Sequence, residues 1–403
     1  SSGWWQVRDF RPGHSCGRTG RGNVLIEIPR AKLDGGMSKL YNVVSVKRFK
    51  MAATIKDVAK RAGVSIATVS NVINGSKRVS PELKEKVQKA IEELGYQPNP
   101  FGRALRKGES STIALLIPDR SNPFYAQIAW GVEEQARRYG YALITCHTDE
   151  DPGLEEFYVS SLLHRRVAGF IVAPTSAGRD TLAPILRRGV PLILVDRVIE
   201  DLPVDQVSSD NEGGAYMAIR HLLQLGHRNI GVLSGVEGIS TTQDRIRGYK
   251  KAFQESGLPL DESLIAPGCS QIEEGATAAE SLLLNGEVTA IFSINNMMTL
   301  GALHSLKRLG LRCPEDVSLV GFDDSEWAAV MTPGLTVVAQ QSYELGYLAG
   351  ALLFRRLKRR HKPPKPRTVK LRTKLIIRES TAEPRRALSE KLAAKGSSVV
   401  ANL

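Results

Sequence analysis

Residues 54–73 constrain the fold of this 403-residue chain more than any other stretch. Thr54 is followed three residues later by Asp57, a pattern typical of a capped helix start. Gly63 stands where the chain must turn sharply, so two short helices joined by a glycine turn are predicted. The apolar residues that repeat at helical spacing before the turn are Ile55, Val58, Ala59 and Ala62.

The second predicted helix begins after Ser65, which can cap it, and has two unlike faces. Val69, Val72 and Ile73 form the face that we expect to be buried. The opposite face carries Ile66, Ala67, Ser70 and Asn71. This is the form of a helix-turn-helix, in which the second helix enters the DNA major groove.

A third helix is predicted from Ser80-Pro81, a capping serine followed by proline at the first helical position, to Gly95. Its apolar stripe consists of Leu83, Val87, Ala90, Ile91 and Leu94. Three such helices can enclose a small core, and the alternative to a DNA reader is a three-helix bundle without DNA binding.

Residues 53–108 resemble the DNA-binding headpiece of the lactose-repressor/galactose-repressor (LacI/GalR) family. The resemblance is carried by ATIKDVAKRAGVSIATVS, by the Asn74-Gly75 turn, and by YQPNPFGRALRKG at 96–108. It implies a helix-turn-helix domain over 51–98 whose second helix lies in the major groove of a palindromic half-site.

The same resemblance implies the DNA contacts. Ile66 and Ala67 would make apolar contacts to base edges, for instance to a thymine methyl, and Asn71 would pair with adenine or with the backbone. The residues expected to position the protein on phosphates are Thr54, Ser65, Thr68, Ser70, Asn74, Lys77 and Arg78.

Residues 99–111 are expected to be a hinge helix or linker. Pro98 and Pro100 end the third helix, and the following FGRALRKG could form one or two turns that would be unstable alone. In the family this hinge helix forms when two copies meet over the minor groove and a leucine wedges between base pairs. Leu105 occupies that position here and Arg103 lies beside it. A plain flexible linker is the alternative.

The basic residues are concentrated near the start of the chain. Residues 1–50 contain ten Lys or Arg and three Asp or Glu, residues 51–110 contain eleven and six, and residues 111–403 contain 34 and 33. This asymmetry favours a nucleic-acid partner for the N-terminal module. Residues 1–50 show no periodicity and are expected to be a non-native or disordered leader; a basic arm that adds non-specific DNA affinity is the alternative.

Several other classes of protein are disfavoured by composition. The cysteines are scattered and the histidines lack metal-ligand spacing, so we expect neither a metal nor a cofactor. We also expect the thiols to be reduced, as they are in a cytoplasm. No apolar run reaches the ~18–20 residues of a membrane span, so no membrane partner is expected. The cysteines are Cys16, Cys146, Cys269 and Cys313.

Residues 112–380 alternate apolar strands with helical segments, which predicts an α/β domain of doubly wound parallel sheets in two lobes. This stretch resembles the periplasmic-binding-protein-like effector domain of the same family. TKLIIREST at 373–381 matches the end of that domain. Residues 381–403 are expected to be a disordered tail, and RRALSEKLAAKG within it is too short to argue for a tetramer.

A ligand would bind beyond the carboxyl ends of the strands, between the lobes. Phe124 and Tyr125 follow the first strand and match the aromatic pair that packs on the effector in the family; core packing is the alternative. Asp196 and Arg197 end another strand and can exchange hydrogen bonds with a ligand, or form a surface ion pair instead. The remaining expected effector residues are Asn122, Thr241, Arg245, Asn296 and Gln340.

Two positions depart from the family pattern. Asn296 stands where an aspartate is usual, and Ser270 falls near a place where an aromatic often stacks on the ligand. An amide offers one acceptor and one donor without charge, so a simple hexose effector is placed in doubt. A phosphorylated, amidated or non-sugar ligand is compatible with these changes.

No catalytic motif follows a predicted strand, and Asp323-Asp324 matches a structural strand-end motif of the family, so an enzyme is not expected. A solute-binding receptor is the alternative, but it should carry an export signal and lack the headpiece. The sequence favours a homodimeric transcription regulator, in the form of a repressor, with double-stranded operator DNA and a small-molecule effector as partners. An inducer and a corepressor are both compatible.

Overall fold

The computed structural model describes residues 53–73, 79–96, 110–284, 288–359 and 364–384. The chain divides into two compact units, Ser1–Asn99 and Pro100–Leu403. The expected leader, most of the expected hinge, and residues 385–403 lie outside the described residues.

The first unit contains three helices, α1 (Ile55–Ala62), α2 (Ile66–Ile73) and α3 (Pro81–Leu94). The predicted capping box is present, because the Asp57 backbone N–H donates to the Thr54 hydroxyl while the Asp57 carboxylate accepts from the Thr54 N–H at 2.8 Å. Gly63 ends α1 at φ 67°, in the left-handed region that a residue without a Cβ adopts easily. The predicted helix-turn-helix and third helix are confirmed.

The core of this headpiece is small. Val58, Val69 and Val87 are completely buried, one from each helix, and Ala59 and Ala90 fill the space between them. Val72 and Ile73 are only partly buried against this cluster. Three short helices bury little apolar surface, and each side-chain N-cap adds about 1 kcal/mol to their stability.

The second unit contains two six-stranded sheets. The strands of the first sheet are β1 (Thr112–Ile117), β2 (Ala142–His147), β3 (Phe170–Val172), β4 (Leu192–Val195), β5 (Asp205–Ser209) and β11 (Thr368–Leu371). They are arranged in the order β11-β5-β4-β3-β1-β2, and the sheet is parallel throughout.

Helices cover both faces of the first sheet. One face packs against α4 (Pro123–Arg138) and α13 (Ser342–Lys358), whose backbones meet closely at glycines: a Cβ on Gly346 would lie 2.0 Å from the Ile128 carbonyl oxygen. The opposite face packs against α5 (Pro152–His164), α6 (Gly178–Thr181) and α7 (Ala183–Arg187).

The second lobe repeats the architecture with the order β12-β10-β9-β8-β6-β7, in which β12 runs antiparallel to β10. Its strands are β6 (Ile230–Ser234), β7 (Ile265–Pro267), β8 (Ala290–Ser293), β9 (Ser318–Phe322), β10 (Thr336–Ala339) and β12 (Lys374–Ile376). Its helices are α8 (Asn211–Gln224), α9 (Ser240–Glu255), α10 (Ile272–Leu284), α11 (Asn296–Leu309) and α12 (Glu326–Val330), with a 3-10 turn at Glu262–Leu264.

The chain passes between the lobes three times, from β5 to α8, from β10 to α13, and from β11 to β12. Each sheet is therefore completed by strands that are distant in sequence. Of these elements α8 was predicted as a helix, whereas β5, β10 and α13 were not predicted. DQVSS at β5 and TVVA at β10 are short, and α13 combines apolar residues with an arginine-rich end.

The expectation of a disordered tail from 381 is wrong for residues 381–384. His221 Nε2 lies 3.0 Å from the Thr381 hydroxyl, and His227 Nε2 lies 2.9 Å from the Ala382 carbonyl oxygen. The Ala382 N–H also donates to Ser318 Oγ at 3.0 Å. Polar groups of this partly buried segment are thus hydrogen-bonded to the second lobe, which holds the segment in place.

Among the described residues, no helix is long and apolar enough to cross a lipid bilayer.

Candidate DNA-contact surface and interlobe cleft

The outer face of α2 carries the side chains predicted to meet base edges. Ile66 is 41% exposed, although it is a large aliphatic residue, and Ala67 and Asn71 are exposed as well. Val69, on the opposite side of the helix, is fully buried in the headpiece core. An exposed isoleucine beside an exposed asparagine offers both an apolar contact and a hydrogen-bonding amide to a partner.

The hydroxyl residues around α2 have partners within the headpiece. The Thr68 backbone N–H donates to Ser65 Oγ at 3.1 Å, and the two side-chain oxygens of these residues lie 2.9 Å apart. The Thr54 hydroxyl donates to the Asp57 carboxylate at 2.6 Å, and this bond is the largest cause that lowers the pKa of Asp57. Ser70 is half-buried. A phosphate contact by these hydroxyls would therefore share an existing hydrogen bond.

Five of the predicted DNA contacts lie outside the described residues. They are Asn74, Lys77, Arg78, Arg103 and Leu105.

The interlobe cleft lies at the carboxyl ends of the parallel strands, as predicted for a ligand site. Its lining includes seven predicted residues from both lobes, namely Asn122, Phe124, Tyr125, Asp196, Arg197, Thr241 and Arg245. Asn296 and Gln340 are not in the lining but contact residues that are. The cleft encloses a volume of about 40 Å³, so a ligand larger than a few waters must part the lobes to enter.

Asp196 and Arg197 are buried, so the surface ion pair that was the alternative is excluded. Asp196 is 3% exposed and accepts from the Tyr125 hydroxyl at 3.0 Å, and burial raises the pKa of its carboxyl. Arg197 is 5% exposed and donates to Glu150 through both terminal nitrogens, with Nη1 at 2.7 Å. Burial alone would lower the pKa of Arg197, but its acidic neighbours outweigh burial and raise the pKa.

Arg245 is the cation of the second lobe in this cleft. It is 6% exposed, its Nε donates to Asn211 at 2.8 Å, and its Nη1 donates to the Ile294 carbonyl oxygen. The guanidinium lies 3.7 Å from the centroid of the Phe322 ring, in cation–π contact. Burial lowers the pKa of Arg245, opposed by the charges of Asp323 and Asp196.

Asp323 is a cleft residue that the sequence assigned to a structural motif. It lines the cavity and accepts from Gln340 Nε2 at 2.6 Å, and burial raises the pKa of its carboxyl against the charge of Arg245. Its neighbour Asp324 instead pairs with Arg378 at 2.9 Å. Gln340, which was predicted to bind the effector, donates a hydrogen bond to Asp323 in this structure.

Two hydrogen bonds join the lobes beside the cleft. Asn296 Nδ2 donates to Asn122 Oδ1 at 2.9 Å and lies 3.2 Å from Ser325 Oγ. The Val198 backbone N–H donates to Ser240 Oγ at 2.9 Å. Asn122 Oδ1 also accepts from the Phe124 N–H, so this single oxygen ties the start of α4 to the second lobe.

Glu150 lines the cleft and was missed by sequence reasoning, whereas Ser270 was expected near the ligand. Glu150, Ser270 and Asp323 all have positive φ at the end of a strand or in the following loop. Residues held in the left-handed region concentrate at such functional edges. The strand-end rule that selected Asp196 would have selected Glu150 as well, had it been applied to the loop after β2.

Within the described parts of the chain, no three His, Cys, Asp or Glu side chains are grouped as metal ligands. Cys146, Cys269 and Cys313 are free thiols.

Both units match the same family. Residues 54–99 match the family described as "Bacterial regulatory proteins, lacI family" and residues 110–379 match "Periplasmic binding proteins and sugar binding domain of LacI family". The chain belongs to the LacI family of bacterial regulatory proteins, and it is a helix-turn-helix transcription regulator.

Named relatives and solved structures agree with this assignment. The transcriptional regulator DegA of Bacillus subtilis (strain 168) is 38% identical over 299 residues, which cover 73% of this chain and 89% of DegA. The lac repressor dimer bound to operator and the anti-inducer ONPF has a TM-score of 0.72 and 27% identity, covering 82% of this chain and 99% of that one. The complex of the regulator CelR with cellobiose has a TM-score of 0.61 and 32% identity, covering 81% and 99%.

The interlobe bond can be tested by substituting Asn296→Asp. At neutral pH the carboxylate cannot donate to Asn122 Oδ1, and an unsatisfied buried group costs about 1–3 kcal/mol, so Tm should fall by roughly 2–10 °C. Protonation restores a donor, and burial raises the pKa of such a carboxyl, so the variant should gain stability as pH falls through that raised pKa. We expect the Tm deficit measured by calorimetry at pH 7 to shrink towards pH 4.

The matched control is Asn229→Asp, at an exposed residue of the second lobe. The backbone carbonyl of Asn229 accepts from the Thr289 N–H at 3.0 Å, and the substitution leaves that bond in place. Equal losses of Tm for the two variants, or a deficit in Asn296→Asp that is the same at both pH values, would contradict the assigned role of Asn296.

Proposed function

We propose that this chain is a homodimeric repressor whose affinity for a palindromic operator is set by a small ligand bound between the two lobes. The observation that carries the proposal is that one chain joins an outward-facing α2 to a cleft whose charged side chains come from both lobes. The solved dimer of the lac repressor on its operator and the cellobiose complex of CelR support both halves.

Recognition of DNA rests on α2. Ile66 and Ala67 present apolar surface suited to a thymine methyl, and the amide of Asn71 can pair with an adenine edge. In the hinge, over 99–111, Leu105 would wedge the central base step and Arg103 would support it. Phosphates would be met by the hydroxyls of the headpiece and by Asn74, Lys77 and Arg78.

The cations of the cleft indicate which ligands it does not favour. Arg197 is held by both carboxylate oxygens of Glu150, and Arg245 faces Asp196 and Asp323 while donating to Asn211 and Ile294. A phosphate would have to compete with these carboxylates for each guanidinium and would meet their negative charge. The cleft is therefore poorly suited to an anionic ligand.

The unsatisfied polar atoms indicate what the cleft does favour. Within the described residues, the cleft lining has one buried acceptor without a hydrogen-bond partner, Asp196 Oδ1, and one buried donor in the same state, Arg197 Nε. Asn296 Oδ1 and Gln340 Oε1, whose residues contact the lining, are further unmatched acceptors. A ligand hydroxyl can both donate to the carboxylate and accept from the guanidinium. A neutral polyhydroxy compound, such as a sugar or polyol, meets this requirement.

We place this regulator in the cytoplasm and assign it no catalytic chemistry; its relatives are named as transcriptional regulators and repressors. Its functional regions are the DNA-binding domain over 51–98, the hinge over 99–111 and the effector domain that follows. Residues 1–50 are a leader outside these regions.

The DNA-reading role can be tested with Asn71→Ala in the full chain. An operator is first selected from random duplexes with the unmodified protein. Loss of a bidentate base contact costs about 1–3 kcal/mol, so operator affinity should fall roughly 5- to 150-fold, while affinity for an unrelated duplex stays the same. Fluorescence anisotropy at fixed salt measures both.

Gln88→Ala on α3 serves as the matched amide control, since Gln88 is exposed and bonds to Glu92 within its own helix. A fall in affinity that is equal for operator and unrelated duplex, or equal in the two variants, would remove Asn71 from base recognition.

The ligand class can be tested by thermal melts of the full chain against matched pairs, each consisting of a sugar or polyol and its phosphate ester. A ligand at 100 times its Kd stabilises the native state by about 2.7 kcal/mol, which is a rise in Tm of roughly 5–11 °C. We expect a neutral member to raise Tm and its phosphate ester not to. A rise in Tm with the phosphate ester alone would contradict the assignment of a neutral ligand.

A further inference from the structure

The amino ends of the first sheet carry an unusual concentration of positive charge. In a parallel sheet each covering helix ends where the next strand begins, so the helix ends gather at this edge. Here α4 ends in Arg137-Arg138, α5 is followed by Arg165-Arg166, and α7 ends at Arg187 and is followed by Arg188. All six side chains belong to exposed residues.

A fourth basic segment reaches the same edge. The end of α13 and the residues that lead into β11 place Lys358, Arg359, Lys365 and Arg367 there, all exposed. The buried carboxylate of Asp205 is occupied by the neighbouring side chains of Arg355 and Arg356. Among the described residues, the acidic residues that lead into a strand of this sheet are Glu200 and Asp201, before β5.

Cations at the carboxyl ends of helices complement the helix dipole, which could by itself account for the basic edge. The second lobe of the same chain provides the comparison that tests this explanation. It has the same arrangement of helices and parallel strands, and the dipole acts there equally. Its equivalent segments mix both signs, with Arg228, Lys307, Arg308 and Arg312 against Glu255, Asp261, Glu262, Glu315 and Asp316. The dipole alone therefore does not account for the excess of arginine in the first lobe.

The two edges also differ in how their cations are neutralised. In the second lobe Arg308 lies 2.7 Å from Glu280 and Arg312 lies 3.8 Å from Asp316. In the described part of the first lobe, none of the ten exposed cations named above has a carboxylate within 4 Å. Arg138 instead donates to the Tyr347 hydroxyl at 3.4 Å, and Lys358 lies 4.4 Å from the centroid of the Tyr139 ring.

This edge is also where the polypeptide enters the lobe. Ser110 leads directly into β1, and β1 runs parallel to its neighbours, so its first residue lies at the amino edge with the basic segments. The residues before Ser110 connect this edge to the DNA-binding headpiece. The basic edge is thus joined to the module that binds DNA.

We propose that the amino edge of the first sheet binds the phosphates of duplex DNA beyond the operator itself. Six strands span about 24 Å at roughly 4.8 Å each, a width that faces about seven base pairs at 3.4 Å per step. The contacts are made by guanidinium and ammonium groups to backbone phosphates, so they add affinity without reading sequence. This surface is separate from α2 and from the interlobe cleft.

The test compares the full chain with the quadruple variant Arg165→Gln, Arg166→Gln, Arg187→Gln and Arg188→Gln. Each protein is titrated by fluorescence anisotropy with one selected operator in duplexes of about 20 and about 60 base pairs, between 50 and 200 mM salt. Each lost phosphate contact lowers the slope of log affinity against log salt by about 0.9. Loss of two contacts lowers that slope by about 1.8. The loss of affinity of the variant for the long duplex, relative to the unmodified chain, should therefore be roughly tenfold larger at 50 mM salt than at 200 mM.

Binding to the short duplex should change less than about twofold. The control removes the same charge from the second lobe, through Arg220→Gln, Arg247→Gln, Lys250→Gln and Lys251→Gln. If both quadruple variants weaken long-duplex binding equally, net charge and not this surface is responsible. If the first variant binds both lengths like the unmodified chain, the proposal is overturned, while operator binding itself stays intact.

Discussion

The buried guanidinium of Arg245 is the interaction on which the cleft depends. A charge removed from water is costly unless hydrogen bonds and opposite charges compensate it. Here the compensation comes from Asn211 on α8, from the carbonyl of Ile294 after β8, and from the face of Phe322 at the end of β9. The carboxylates of Asp323 and Asp196 then stabilise the charge from the two lobes. The Arg245 side chain therefore contacts three strand or helix ends of the second lobe and interacts electrostatically with the carboxylate of Asp196 in the first lobe.

The polar side chains of the cleft can form hydrogen bonds either with one another or with a ligand. With the lobes together, Asn296 bonds to Asn122 across the cleft, while acceptors on Asp196, Asn296 and Gln340 remain unmatched. A ligand that supplies donors to these acceptors stabilises one relation of the lobes over others, and only such a difference in affinity can shift the equilibrium. Each lobe has its own core, and three crossings of the chain connect the two lobes.

The sequence predicted the elements whose patterns are local and missed those that depend on distant partners. The capping pair Thr54 and Asp57 and the turn at Gly63 sit within one helix length, so their pattern was readable and the headpiece is confirmed. Strands β11 and β12 are short and partly polar, and their partners β5 and β10 are separated from them in sequence by crossings between the lobes. Likewise Arg197 was selected at a strand end, but its partner Glu150 and the burial of both could only come from the fold.

We propose that a ligand at Arg245 controls operator binding, and the direct measurement is operator affinity with and without a saturating neutral ligand. Allosteric coupling of about 1–3 kcal/mol predicts a 5- to 150-fold change for the unmodified chain. Arg245→Ala should bind operator with its basal affinity and show no change, while Arg247→Ala, exposed on the same helix, should respond normally. A full response in Arg245→Ala, or unchanged affinity in the unmodified chain when ligand is bound, would contradict the account.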